Sequence, residues 1–165
     1  MKHLLLIRHA KSSWDDPALS DFERPLNERG KKDAPVMAKR LSDKKIKIDA
    51  IVSSPAKRAK QTGKHFAKEF DLKKKKIVLE SKLYEAGEQN FYEVVENLKN
   101  KWDSVAIVSH NPGITSFANS LTETKIDDMT TSSIFAIKID TGKWANFRSA
   151  KKDFWFFDYQ KAEEG

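Results

Sequence analysis

Three short apolar runs constrain this chain more than any other feature. Residues 3–7 carry Leu4-Leu5-Leu6-Ile7, residues 49–53 carry Ala50-Ile51-Val52, and residues 104–109 carry Val105-Ala106-Ile107-Val108. None alternates apolar with polar. A strand with one wet face alternates, so an unbroken apolar run suits a strand buried on both faces, as in a parallel sheet covered by helices. Each run then stops on polar residues. Arg8-His9 follows the first, Ser53-Ser54-Pro55 the second and Ser109-His110-Asn111 the third.

The stretches between the runs read as helices. Asn27 caps a helix to about residue 44 that turns Val36, Met37, Ala38 and Leu41 inward, with Pro35 kinking or delaying it. Pro55 opens a second helix to about residue 70, and Pro112 opens another to about residue 121. Between them, residues 88–101 place Phe91, Val94, Val95 and Leu98 at helical spacing. Residues 10–25 lack any apolar period and read as a long loop, 73–76 as a charged linker and 77–79 as a brief strand. Asp140-Thr141-Gly142 predicts a hairpin between residues 132–139 and 143–148, and the aromatic tail 154–159 predicts a last strand. Strands alternating with helices imply an α/β domain of three layers, α/β/α, around a mostly parallel sheet. No linker or repeat divides it, so one domain over residues 1–165 is expected.

Composition narrows the function. The chain has no Cys, which excludes disulfides, a thiol nucleophile and a cysteine metal site. Ten Phe, four Trp and three Tyr argue against disorder. No apolar run reaches the roughly 7–15 residues of a secretory signal or the roughly 20 of a membrane helix. A cytoplasmic protein with no membrane partner is therefore expected. Lys and Arg number 31 against 24 Asp and Glu, a net charge of +7. That excess suits a nucleic acid, an acidic membrane surface, an anionic substrate or a solvated surface.

In open α/β sheets, ligands sit beyond the carboxyl ends of the strands. Of only four histidines, His9 and His110 fall there, accompanied by Arg8 and Arg58. Two imidazoles and two guanidiniums without a cluster of carboxylates suit a tetrahedral oxyanion better than a metal, because guanidinium presents fork-shaped donors. No metal or cofactor is expected. His3 on its strand reads as structural, and His65 as a surface residue. Ser12, Ser13 and Trp14 read either as pocket mouth or as surface loop, and Arg24 and Arg29 either as reaching substrate or, the preferred reading, as fixing the loop or helix start.

Arg8-His9, the segment Ser53-Ser54-Pro55-Ala56-Lys57-Arg58-Ala59-Lys60-Gln61-Thr62 and Val108-Ser109-His110-Asn111 together resemble the histidine phosphatase superfamily, the phosphoglycerate mutase-like proteins. Within it, Arg24-Pro25-Leu26 with Arg29-Gly30, and Ser109-His110-Asn111-Pro112, are most similar to the SixA-type phosphohistidine phosphatases. The resemblance runs from residue 1 to about 121. It implies the phosphoglycerate mutase-like fold, His9 as a nucleophile that becomes a phosphohistidine, and Arg8, His9, Arg58 and His110 as the phosphate site. Glu85 in Leu83-Tyr84-Glu85-Ala86-Gly87 matches the place of the acidic proton donor. Ala10 departs from the usual Arg-His-Gly, and a methyl group disfavours the positive φ that Gly reaches freely. The implied substrate is a phosphorylated protein or a small phosphorylated molecule. Three alternatives stay open: a broad phosphomonoesterase, a phosphoglycerate mutase-like enzyme, and an inactive module that binds phosphorylated ligands. A nucleic-acid partner rests on net charge alone and is not expected.

Overall fold

The computed structural model describes residues 1–160; the last five positions of the expected domain lie outside the described residues. Strand β1 (Lys2–Arg8) runs through the centre of a six-stranded sheet. On one side it pairs in parallel with β4 (Ser104–Ser109), which pairs in parallel with β2 (Ala50–Ser53), which pairs in parallel with β3 (Ile77–Leu79). On the other side β1 pairs antiparallel with β5 (Ile134–Ile139), and β5 antiparallel with β6 (Lys152–Asp158). The strand order is β3-β2-β4-β1-β5-β6.

The unalternating run of β1 has the expected meaning. Leu4 and Leu6 enter one hydrophobic cluster and Leu5 and Ile7 another, so successive side chains feed opposite faces. Helices α1 (Glu28–Asp43) and α2 (Lys57–Glu69) cover the Leu5 face through Met37, Leu41 and Phe66. Helices α3 (Glu88–Glu96) and α4 (Gly113–Leu121) cover the Leu4 face through Phe91 and Phe117, whose rings stack at 5.0 Å. This is the three-layer phosphoglycerate mutase-like fold. No helix among the described residues is long and apolar enough to cross a membrane.

Some local expectations hold and others need correction. Asn27 caps α1 through Oδ1, which accepts from the Gly30 amide at 2.8 Å. Pro35 does not delay that helix, which runs on through it; Pro35 lies on the solvent side, where Val36 also points at 41% exposed. Ala34, Met37, Ala38 and Leu41 already fill the buried stripe, and Val36, a residue before Met37, is rotated off it. Helix α2 begins at Lys57, two residues after Pro55. Helix α3 ends at Glu96, where the Asn97 side chain donates through Nδ2 to the Glu93 carbonyl at 2.7 Å, although Leu98 still packs on the core.

The predicted hairpin takes another partner. Residues 143–148 do not form a strand; β5 instead pairs with β6. Trp144 and Phe147 stand three residues apart and both are buried, the spacing of a helical turn, and Trp144–Asn146 is a 3-10 turn. The Trp144 indole N–H donates to the Trp102 carbonyl at 2.7 Å. Lys2 is a further surprise: it is 2% exposed, with Nζ donating to the Trp102 carbonyl and to Asp103 Oδ1.

Candidate active site

The centre of the sheet places the candidate residues. Arg8 ends β1 and pairs in register with Ser109, the last residue of β4. The chain then continues the ladder for one step, with the His9 amide donating to the Ser109 carbonyl at 3.1 Å. His9 and His110 thus emerge side by side, with ring centroids 5.1 Å apart. The Ser54 amide donates to the Val108 carbonyl, which brings the start of α2 and its second residue, Arg58, to the same end. Arg8, His9, Arg58 and His110 all line one cavity of about 640 Å³, as do Tyr84 and Glu85. His3 and His65 lie elsewhere, on β1 and α2, and Arg29 pairs with Asp33 along α1.

His9 is oriented by its own neighbour. Its Nδ1 lies 2.7 Å from the Ala10 carbonyl, which accepts only from a protonated nitrogen, so Nδ1 carries the hydrogen and Nε2 keeps its lone pair. Ala10 makes this contact without strain. It is not among the positive-φ residues, its methyl packs with Leu26 and Ala34, and its amide donates to Thr62 Oγ1 at 2.9 Å.

The arginines are each held by the outer nitrogen. Arg8 Nη1 donates to the Met129 carbonyl at 2.8 Å. Arg58 Nη1 donates to the Asp21 carbonyl at 2.6 Å, and its Nη2 to Asp21 Oδ2 at 3.0 Å. Among the described residues, the buried Nε of Arg8, the buried Nε of Arg58 and the buried Nδ1 of His110 have no hydrogen-bond partner. The other nitrogen of His110, Nε2, lies 2.7 Å from Ser54 Oγ, which accepts from the Ala56 amide. The hydroxyl proton is therefore free to point at Nε2, which leaves Nδ1 as the protonated donor.

Burial dominates the electrostatics. It disfavours the imidazolium of His9, and His110, Arg58 and Arg8 add repulsion against the opposing pull of the Ala10 carbonyl; the pKa falls to about 3. For His110, burial and then Arg58 bring it down to about 4. Both rings are neutral at physiological pH. An unfolded histidine titrates near 6.5, so the unfolded chain binds more protons below that value. Stability contributed by the neutral rings is thus complete above pH ~6.5 and declines as pH falls toward the folded values, by roughly 1.4 kcal/mol per unit for each ring. Denaturant midpoints measured from pH 7 to 5 should decrease, and His110→Asn should make the decline shallower. An unchanged slope in that variant would show that His110 is already charged in the native state.

Two side chains of the site were given no role by the sequence. Asp21 lies in a 3-10 turn, Asp21–Glu23, inside the long loop after β1. Tyr84 follows Leu83, and its ring edge meets His110 at 5.6 Å while its hydroxyl donates to Asp21 Oδ2 at 2.7 Å. At the mouth, Arg24 stacks 3.5 Å over Trp14 and donates to Ser12 Oγ, so it both lines the cavity and ties down the loop. Glu85 lies on the cavity wall as an exposed side chain, carried by a backbone φ of 56°. Among the described residues, no group of three or more His, Cys, Asp or Glu could hold a metal ion.

The sequence profile of the histidine phosphatase superfamily (branch 1) matches residues 4–92, more than half of the chain, and the chain belongs to that superfamily. It is similar to the SixA structure from Agrobacterium tumefaciens, with a TM-score of 0.81, 24% identity and coverage of 97% of this chain and 99% of that one. A structure of the protein histidine phosphatase SixA with tungstate aligns at a TM-score of 0.78 and 24% identity over 94% and 95% of the two chains. Among curated sequences, the mitochondrial serine/threonine-protein phosphatase Pgam5 of Drosophila melanogaster is 38% identical over 47% of this chain and 26% of its own. An uncharacterized chloroplastic protein of Arabidopsis thaliana is 41% identical over 42% of this chain and 32% of its own. The matches thus span about a quarter to a third of those relatives.

Proposed function

We propose that the chain is a phosphatase working through a covalent phosphohistidine on His9. The observation that supports this best is the convergence of Arg8, Arg58 and His110 on the cavity that holds His9, each with one buried nitrogen that has no hydrogen-bond partner. Buried donors without partners are costly, and the oxygens of a phosphoryl group are acceptors of the kind such donors lack. Nε2 of His9 attacks phosphorus in line with the leaving group. The P–Nε2 bond forms as the bond to the leaving group breaks, and the leaving group departs with the electron pair. Water then attacks the phosphohistidine, returning the electron pair to Nε2 and releasing inorganic phosphate. Arg8, Arg58 and His110 hold the equatorial oxygens, where charge is stabilised during transfer.

The preferred substrate in this reading is phosphohistidine in proteins. The SixA structures share the fold over nearly the whole chain, and one of them holds tungstate, a tetrahedral oxyanion. Imidazole is a better leaving group than an alkoxide and needs less help from an acid. The position of Glu85 on the cavity wall favours a second reading, a broader phosphomonoesterase in which Glu85 protonates an alkoxide. A mutase fits less well, because residues 62–85 are occupied by the rest of α2, a 3-10 turn, β3 and a second 3-10 turn and leave no segment to cover the cavity.

Phosphate release from phosphohistidine, an aryl phosphate and an alkyl phosphate, each in EDTA, tests the proposal. Hydrolysis of the first two is expected without metal. Glu85→Gln should lower alkyl phosphate turnover by about 100-fold if Glu85 is the acid, and phosphohistidine turnover far less. Equal losses on both substrates would remove Glu85 as a proton donor. Binding of phosphate without hydrolysis of any substrate would leave a phospho-ligand-binding module.

A further inference from the structure

Arg58 lines the cavity, and one residue outside the motifs takes up one edge of its guanidinium. A guanidinium has an end-on edge, Nη1 and Nη2, and a side-on edge, Nε and Nη2. Asp21 takes the end-on edge, its carbonyl from Nη1 and its Oδ2 from Nη2. That leaves the Nε hydrogen and the second Nη2 hydrogen, the pair suited to bidentate contact with a phosphoryl group. Arg8 follows the same plan, with the Met129 carbonyl taking Nη1.

We infer that Asp21 is a positioning residue, gripping the outer end of Arg58 so that the side-on edge faces the phosphoryl group. The inference rests on the phosphatase reading of the cavity. Asp21 does more than pair with one partner. Its Oδ2 also accepts from the Tyr84 hydroxyl at 2.7 Å, and its Oδ1 accepts from Arg24 Nε and Nη2 at 3.3 and 3.2 Å. One carboxylate thereby fixes Arg58, the ring that abuts His110, and the arginine at the cavity mouth. It also offsets positive charge where Arg8, Arg24 and Arg58 gather. Burial would push its carboxyl up, yet hydrogen bonds from Tyr84, Arg58 and Arg24 overcome that and hold it down at about 2, so the anion persists throughout the working range. The same contact, after burial, raises Tyr84 to about 12.

The test is calorimetric titration of inorganic phosphate into the full chain and the variants Asp21→Asn, Asp21→Glu, Arg58→Ala and the double variant Asp21→Asn with Arg58→Ala. Asp21→Asn should weaken phosphate by about 10- to 100-fold, the worth of a charged hydrogen bond, and Asp21→Glu should recover part of the loss. Because Asp21 acts through Arg58, adding Asp21→Asn to Arg58→Ala should cost less than about threefold more. The tyrosinate titration assigned to Tyr84 by comparison with Tyr84→Phe should fall from about 12 toward its ordinary value in Asp21→Asn. Asp21 is half exposed on a surface turn, so the fold should survive, and Asp21→Ser gives the same test with a smaller side chain. Unchanged or tighter phosphate binding in Asp21→Asn overturns the inference, as does an equal loss in the Arg58→Ala background. Failure of the wild-type protein to bind phosphate overturns the reading of the cavity itself.

Discussion

The His9→Ala variant is expected to lose about three to six orders of magnitude in kcat. The size follows from what His9 alone supplies. Its Nε2 is the one nucleophile in the proposed reaction, and the lone pair is available because the Ala10 carbonyl holds the hydrogen on Nδ1. Phosphate affinity should fall much less, since Arg8, Arg58 and His110 keep their donors. His9→Asn separates chemistry from shape, because its amide can still donate toward Ala10. Rapid-quench experiments with radiolabelled substrate should show a labelled wild-type enzyme and no label on either variant. Turnover within about tenfold of wild type in His9→Asn would eliminate the covalent route.

Arg8→Ala should lower kcat/KM by about a thousandfold, at the lower end of what a transition-state arginine contributes to phosphoryl transfer. Arg8 adjoins the nucleophile in sequence and reaches the cavity from the last residue of β1, so no loop motion separates the two side chains. Its loss also leaves the Met129 carbonyl without the 2.8 Å bond it now accepts. Arg8→Lys tests the geometry separately from the charge: an ammonium cannot hold Met129 and present a two-nitrogen edge together. It should recover only a small part of the activity. Full activity in Arg8→Lys would mean that charge alone matters, and the side-on arrangement would lose its support. Thermal midpoints of both variants show whether the loss is catalytic or structural.

The arrangement of these residues was open to reading wherever local rules agree with the global fold. The unalternating runs in β1, β2 and β4 put Arg8, His9 and His110 at adjacent strand ends because parallel neighbours end together, and the Asn27 cap started α1 where a capping side chain should. Long-range pairing was opaque. A hairpin signal at Asp140-Thr141-Gly142 looked local, but burial of Trp144 and Phe147 turned the next residues into a helical turn and passed the pairing to β6. Asp21 was invisible for a related reason: nothing in a polar loop says which carboxylate will lie 3.0 Å from an arginine 37 positions onward. Lys2 is another such case, since a lysine reads as solvent-facing until its neighbours offer Asp103 and a carbonyl in the interior.

The stack of Arg24 on Trp14 gives the molecule an optical gauge. Trp14 is 77% exposed, while Trp102 and Trp144 are 6% and 0% exposed and Trp155 is half-buried against His3. A selective aqueous quencher therefore acts mainly on one indole, the one at the cavity mouth. Its guanidinium neighbour is bound to Asp21, and Asp21 to Arg58, so Trp14 lies two hydrogen-bonded contacts from Arg58 in the cavity wall. Quenching of Trp14 is therefore expected to change when an oxyanion enters the cavity, which a fluorescence titration with phosphate would read.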